Sequence, residues 1–178
     1  MDKIVFITGA SSGIGAGCAR KFASQGASLI LNARNVNKLS ALKEELEKQY
    51  GAKIYLLPFD VRDRKAATSA LESLPKEWQS IDILVNNAGL VIGTDKEQEG
   101  SLDEWDIVID TNIKALLAMT RLIVPGMVER KRGHIINIGS IAGDAAYPGG
   151  SVYCATKAAV KALSDGLRID LVLSLIHI

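Results

Sequence analysis

The sequence predicts an α/β fold: a parallel sheet, doubly wound, with helices on both faces. Two observations carry that reading. The first is a set of short, mostly continuous apolar runs, Ile4-Val5-Phe6-Ile7, Leu29-Ile30-Leu31, Ile54-Tyr55-Leu56-Leu57, Ile83-Leu84-Val85 and Ile135-Ile136-Asn137-Ile138. Runs that do not alternate with polar residues suit strands covered on both sides. The second is the helix-length pattern between them, near 14–25, 37–49, 63–74 and 103–130, with another from about 152. Strands and helices in strict alternation argue for β-α-β units and a parallel sheet. No internal repeat, low-complexity stretch or linker interrupts the 178 residues, so a single domain spanning 1–178 is expected.

Composition narrows the function. With 48% hydrophobic and 23% charged residues the chain is globular, and a formal net charge of +1 gives no reason to expect nucleic acid. Arg130-Lys131-Arg132 reads as the solvated end of a helix, where cations suit the dipole. Cys18 and Cys154 have no metal-ligand spacing, so no metal is expected, and two cysteines make no disulfide framework. Cys18 falls in a helical pattern as a small core residue. Past Met1-Asp2-Lys3 the chain enters a strand directly, without a signal-peptide pattern or a run of about 18 apolar residues. The expectation is a soluble, cytoplasmic protein with no membrane partner.

The chemistry-bearing stretches lie where strands end. The first strand runs into Thr8-Gly9-Ala10-Ser11-Ser12-Gly13-Ile14-Gly15, and a helix opens at once. Glycines let the backbone turn sharply and approach a pyrophosphate, while free N–H groups at the helix start face an anion. The spacing is G-x-x-x-G-x-G, not the commoner G-x-G-x-x-G. Its place between first strand and first helix is the context that supports dinucleotide binding over a mere turn. An acid that grips a ribose is expected about 20 residues on. Asn32-Ala33-Arg34-Asn35 stands there instead. A surface arginine at a strand end is ordinary, but behind a phosphate loop Arg34 suits a 2′-phosphate, so NADP is expected over NAD.

Farther along, Asp63 reads as a helix N-cap. Asp60 either caps as well or lies at the carboxyl edge of the sheet, beneath an adenine. Asn86-Asn87-Ala88-Gly89 ends the fourth strand with amides that bond to neighbours and small residues that leave room for a flat ligand. Gly93 to Gly100 reads as a loop on the same edge. Asn112, a poor interior helix residue, either caps a second helical segment or holds a water near the active site. Pro125-Gly126 is expected to kink or break that helix. From Ile113 to Val128 apolar residues nearly surround it, which calls for burial in the sheet or against another subunit. Last come Ser140 and Tyr153-Cys154-Ala155-Thr156-Lys157. Tyr and Lys four apart stack on one helix face. An ammonium beside a phenol makes an acid/base only in a partly closed pocket, because water weakens the interaction about fourfold relative to a protein-like medium.

Taken together, Thr8-Gly9-x-x-x-Gly13-Ile14-Gly15, Asn86-Asn87-Ala88-Gly89, Asn112, Ser140 and Tyr153-x-x-x-Lys157 resemble the short-chain dehydrogenase/reductase family over residues 3 to about 171. Leu74-Pro75-Lys76-Glu77-Trp78, Ile81 to Val85 and Tyr147 to Tyr153 resemble its NADP-dependent 3-hydroxy acid dehydrogenase branch. The resemblance implies a Rossmann-type sheet that binds NADP. It implies hydride transfer to or from a small 3-hydroxy acid of the serine, allo-threonine or malonic semialdehyde type. It makes Tyr153 the acid/base and Lys157 its cationic partner and ribose ligand; Ser140 orients the substrate, and Asn112 supports a water in the proton relay. It assigns cofactor binding to Gly9, Ser11, Ser12, Gly13, Ile14, Arg34, Asp60, Val61 and Asn87, which places Asp60 by the adenine. It also implies a homodimer or homotetramer through the 103–130 and 153–171 helices. Other readings are a reductase of 3-oxoacyl thioesters in the same family and a non-catalytic dinucleotide-binding protein.

One stretch departs from the family pattern. After Asp170-Leu171 come only Val172-Leu173-Ser174-Leu175-Ile176-His177-Ile178, where the family continues into further strands and a substrate loop. The expectation is a chain incomplete at its C-terminus, with its last strands missing and a tail that is not native. In that case the strand at Ile135 to Ile138 has an unpaired apolar edge, and the 178-residue chain itself is poorly soluble or nearly inactive.

Overall fold

The computed structural model describes residues 3–178. Five parallel strands form the body of the sheet: β1 (Ile4–Ile7), β2 (Ser28–Leu31), β3 (Ile54–Leu56), β4 (Ile83–Asn86) and β5 (Gly133–Asn137). A two-residue β6 (Ile176–His177) completes the order β3-β2-β1-β4-β5-β6. The helices are α1 (Gly13–Ser24), α2 (Val36–Tyr50), α3 (Arg64–Glu72), α4 (Leu102–Ile109), α5 (Ala115–Glu129) and α6 (Ser151–Asp170). This is the doubly wound α/β fold that the continuous apolar runs predict.

Side-chain alternation along each strand supplies two cores. Val5, Ile7, Leu29, Leu31, Ile83 and Val85 point to one face and meet Ala16, Ala19 and Ala23 of α1 and Leu39, Leu42 and Leu46 of α2. Phe6, Ile30, Leu84 and Ile135 point to the other and meet Ala67 of α3 and Ala115, Met119, Ile123 and Met127 of α5. Adjacent residues of one strand thus serve opposite cores, which is why the runs show no polar alternation. α6 lies beside α4 and is tied to β5 by Asn137 Nδ2, which donates to Ser164 Oγ at 2.8 Å.

Four expectations need correction. The single helix over 103–130 is two helices joined by a π-helical turn, Asp110–Lys114, with Asn112 buried inside it. Pro125 does not end α5, which runs on to Glu129. The proline costs one backbone donor, and the buried row Met119, Ile123, Val124 and Met127 holds the helix on the sheet regardless. Arg130-Lys131-Arg132 is more than a solvated helix end. Arg130 donates to the Ile81 carbonyl at 2.7 Å, and Arg132 pairs at 2.5 Å with buried Asp82, whose other oxygen accepts from Ile4 N. Finally, the edge of β5 is not wholly bare. Ile176 and His177 pair in parallel with Gly133 and His134, so the tail supplies a short strand where none is expected.

Among the described residues no helix is long and apolar enough to cross a membrane, and no group of three or more His, Cys, Asp or Glu gathers as a metal site.

Candidate active site

The parallel order brings every strand's carboxyl end to one edge, and β1 has β2 on one side and β4 on the other. Crossovers leave in opposite directions from that point, so a crevice opens there. A cleft of about 920 Å³ fills it. It takes in all the cofactor residues expected from sequence, from Gly9 to Asn87, together with Ser140, Tyr153 and Lys157. Asn112 does not line it; its neighbour Thr111 does.

The glycine turn is tied down from β4. Thr8 Oγ1 donates to the Val85 carbonyl at 3.3 Å and accepts from the Asn87 and Ala88 amides, each at 3.0 Å. Asn87 Nδ2 donates back to the carbonyls of Thr8 (2.9 Å) and Gly9 (3.1 Å). Gly9 lies at φ +64°, and a Cβ there would stand 3.0 Å from Ala88 Cα. Gly13, at φ +54°, has no atom within 4 Å of a Cβ position, so its bare backbone faces open space.

Helices α2, α3 and α4 are capped by their own side chains: Asn35 accepts from Lys38 N, Asp63 from Ala66 N and Ser101 from Glu104 N. Ser12 at the start of α1 makes no such bond, and the first turn of α1 has no acid. That helix end keeps its N–H groups and its partial positive charge for something outside the chain. The residues present therefore fit a dinucleotide pyrophosphate.

At the outer end of the cleft stand Arg34, Asp60 and Arg62. Asp60 accepts from the Arg62 amide at 3.0 Å, and the Arg62 guanidinium grips both its carboxylate oxygens, the closest contact being 2.7 Å. Arg62 beside it, together with its amide, holds the Asp60 carboxyl below the usual carboxylate range. Asp60 thus caps no helix. Arg34 approaches the same carboxylate only to 3.8 Å and is two-thirds exposed, at 66%. Asn32 sits fully buried behind it, donating to the Leu57 and Phe59 carbonyls.

At the inner end, Ser140 closes β5 and accepts from Ala142 N at 3.1 Å, starting a tight turn over Ile141–Gly143. A Cβ on Gly143 would stand 2.8 Å from the Lys157 backbone, so only glycine lets this turn seat against α6. Lys157 is buried. Its Nζ donates to the Ile138 carbonyl at 2.8 Å and lies 5.8 Å from the Tyr153 ring centre. Burial pushes the Lys157 ammonium below its ordinary range, as loss of hydration does for any buried amine.

Asn112 is not the helix cap that one of its two sequence readings expects. It caps nothing, and its side chain is fully engaged: Nδ2 donates to the Leu90 carbonyl (2.9 Å) and to Thr156 Oγ1 (3.0 Å), while Oδ1 accepts from Leu90 N (2.9 Å). The side chain is therefore a clamp joining the π-helical turn, the Leu90 segment and α6. No sequence signal marks Thr156 or Leu90 as its partners, since they lie 44 and 22 residues away. Replacing Asn112 by Leu is expected to strand both part-buried Leu90 backbone groups and to cost about 2–6 kcal/mol of stability, at about 1–3 kcal/mol for each stranded group. Chemical denaturation of the two proteins checks this; equal midpoints would show that the clamp carries no stability.

With that geometry in view, the comparisons with known proteins are specific. The model of the short chain dehydrogenase family matches residues 3–178, and the chain belongs to that family. It is 50% identical over 168 residues to the NADP-dependent 3-hydroxy acid dehydrogenase YdfG of Escherichia coli strain K12, covering 94% of this chain and 66% of that protein. To the NADP-dependent 3-hydroxy acid dehydrogenase of Schizosaccharomyces pombe it is 44% identical over 167 residues, covering 93% and 64%. Among solved structures, serine dehydrogenase from Escherichia coli superposes with a TM-score of 0.89 at 50% identity, over 94% of this chain and 76% of that one. The closed form of a serine dehydrogenase complexed with NADP+ gives a TM-score of 0.88 at 49% identity, covering 94% and 66%. The chain spans about two thirds of the length of the curated relatives it matches.

Proposed function

We propose that this protein is an NADP(H)-dependent oxidoreductase that interconverts a small 3-hydroxy acid and its carbonyl form. The observation that carries the reading is one continuous cleft with an arginine at one end and Ser140, Tyr153 and Lys157 at the other. Four strand spacings separate β3 from β5, about 19 Å at the usual interval, which is the scale of an extended dinucleotide. The curated relatives named for NADP and 3-hydroxy acids supply the substrate class.

The lining of the cleft supports the following residue roles. The open α1 terminus with Gly9, Ser11, Ser12, Gly13 and Ile14 holds the pyrophosphate, Arg34 the 2′-phosphate, and Asp60 with Val61 the adenine. Asn87 acts through the turn, because its amide is spent on Thr8 and Gly9. Bound NADP+ supplies the acceptor for the hydride that leaves the carbinol carbon. Ser140 donates to the substrate oxygen and orients that carbon. Tyr153 takes the hydroxyl proton as the carbonyl forms, and returns it in reduction. Lys157 holds the nicotinamide ribose and stabilises negative charge on the phenol oxygen as the proton moves. Asn112 holds the π-helical turn and the Leu90 segment beside this relay. Copies of the chain pair through α5 and α6, whose apolar residues Leu117, Val128 and Ile169 are at least a third exposed.

Cofactor-dependent turnover with serine, 3-hydroxybutyrate and an acetoacetyl thioester tests the substrate class. Turnover of the free hydroxy acids supports it; turnover of the thioester alone, or binding without turnover in a chain extended to the length of its curated relatives, contradicts it. The cofactor choice is tested by Arg34→Ala, which is expected to weaken NADP about tenfold or more, as loss of one charge-assisted pair of about 1.4–3 kcal/mol does. NAD affinity stays within about twofold, a change below 0.5 kcal/mol. An equal loss for both cofactors would remove the role given to Arg34.

A further inference from the structure

Two cations and one carboxylate meet at the adenine end of the cleft, and their geometry is unequal. Asp60 makes three side-chain contacts with the Arg62 guanidinium, from Nε and Nη2, and a fourth with the Arg62 amide. Arg34 reaches the same carboxylate only as a loose ion pair at 3.8 Å. Both arginines compete for one carboxylate, and Arg62 has won it. Arg62 is also the first influence holding the Asp60 carboxyl ionised, and Arg34 the last. Among the described residues, Asp110 also acts electrostatically on the Arg62 guanidinium.

We propose that Arg62 is a positioning residue for cofactor selectivity: by occupying both oxygens of Asp60, it keeps that carboxylate from capturing Arg34 and leaves the Arg34 guanidinium free for a 2′-phosphate. This rests on the NADP reading above. Planar bidentate pairing is what an arginine does best. Without Arg62 the nearest cation to Asp60 is Arg34, which has only to close from 3.8 Å to hydrogen-bond distance. An Arg34 so bound must break that pair before it meets a phosphate, and NAD, which has no 2′-phosphate, is indifferent to the exchange.

The test uses 2′,5′-ADP and 5′-AMP as probes, bound to the protein and followed by calorimetry. Their affinity ratio reports the 2′-phosphate alone and cancels whatever Asp60 does for adenine. Arg62→Ala is expected to cut the 2′,5′-ADP preference about fivefold, or roughly 1 kcal/mol. Asp60→Asn, with Arg62 in place, leaves the ratio within about twofold of the wild type. The double variant Asp60→Asn/Arg62→Ala returns to the wild-type ratio, because a neutral amide does not hold Arg34. An unchanged ratio in Arg62→Ala, or a double variant that stays low, overturns the proposal; the latter would put Arg62 on the phosphate directly. A ratio that rises in Asp60→Asn as far as it falls in Arg62→Ala also overturns it, since that is a simple field effect. A wild-type protein without preference for 2′,5′-ADP would instead remove the NADP reading, and this proposal with it.

Discussion

Replacing Tyr153 by Phe is expected to lower turnover by about a thousandfold or more, within the range that a positioned acid/base contributes, while NADP affinity changes little. The change removes one hydroxyl and keeps the ring. The ring's neighbours, including Lys157 at 5.8 Å from its centre, are untouched. Lys157 keeps its own bond to the Ile138 carbonyl, so the α6 face does not collapse. Loss of turnover with retained binding therefore separates proton transfer from cofactor binding. A variant that kept a tenth or more of its activity, less than about 1.4 kcal/mol of lost transition-state stabilisation, would remove Tyr153 from the chemistry.

The second large effect is structural. Gly15, in the first turn of α1, is packed so closely that an added Cβ would overlap the Gly9 carbonyl oxygen and lie 2.5 Å from Asn87 Nδ2. Neither neighbour yields freely. The Gly9 carbonyl is backbone, and Asn87 Nδ2 is held by the carbonyls of Thr8 and Gly9. Gly15→Ala is expected to cost about 1–3 kcal/mol, as overpacking does, despite alanine's better helix propensity. Since the strain falls on the Gly9 turn and the Asn87 tie, dinucleotide affinity drops with it, by about tenfold for each 1.4 kcal/mol of misplacement. Gly17 is the control, with no atom within 4 Å of a Cβ position. Gly17→Ala leaves binding unchanged and raises stability by up to about 1 kcal/mol. Similar losses in both variants would show that the close contact at Gly15 does not matter.

What the sequence made legible was whatever is encoded locally. A strand buried on both faces writes itself as an unbroken apolar run. The glycine turn and the Tyr-Lys pair are short-range patterns whose spacing is their geometry. The Asp63 cap is readable for the same reason, because its bond to Ala66 N spans three residues. What stayed hidden depends on distant partners. By its residue type Asn112 shows as a misfit within a helix, and by its place as a family motif; the partners of its side chain, Leu90 and Thr156, are brought to it by the fold. Arg62 offered no signal beyond standing two residues from Asp60. Pro125 misled because the cost of a proline is local, whereas the packing that outweighs it is tertiary. The pairing of Ile176 and His177 with β5 was likewise out of reach, since two residues carry no strand pattern.

The most direct test of the central claim, that Tyr153 and its neighbours serve hydride transfer between a 3-hydroxy acid and NADP+, follows the hydrogen itself. Serine carrying deuterium at C3 is incubated with the protein and NADP+, and the nicotinamide product is examined by NMR. Deuterium at nicotinamide C4 with the wild type, and none with Tyr153→Phe, is the predicted result. In a chain extended to the length of its curated relatives, NADP bound tightly in the cleft with no deuterium delivered, from serine or from any other 3-deutero-3-hydroxy acid, would contradict it and leave a dinucleotide-binding protein in its place.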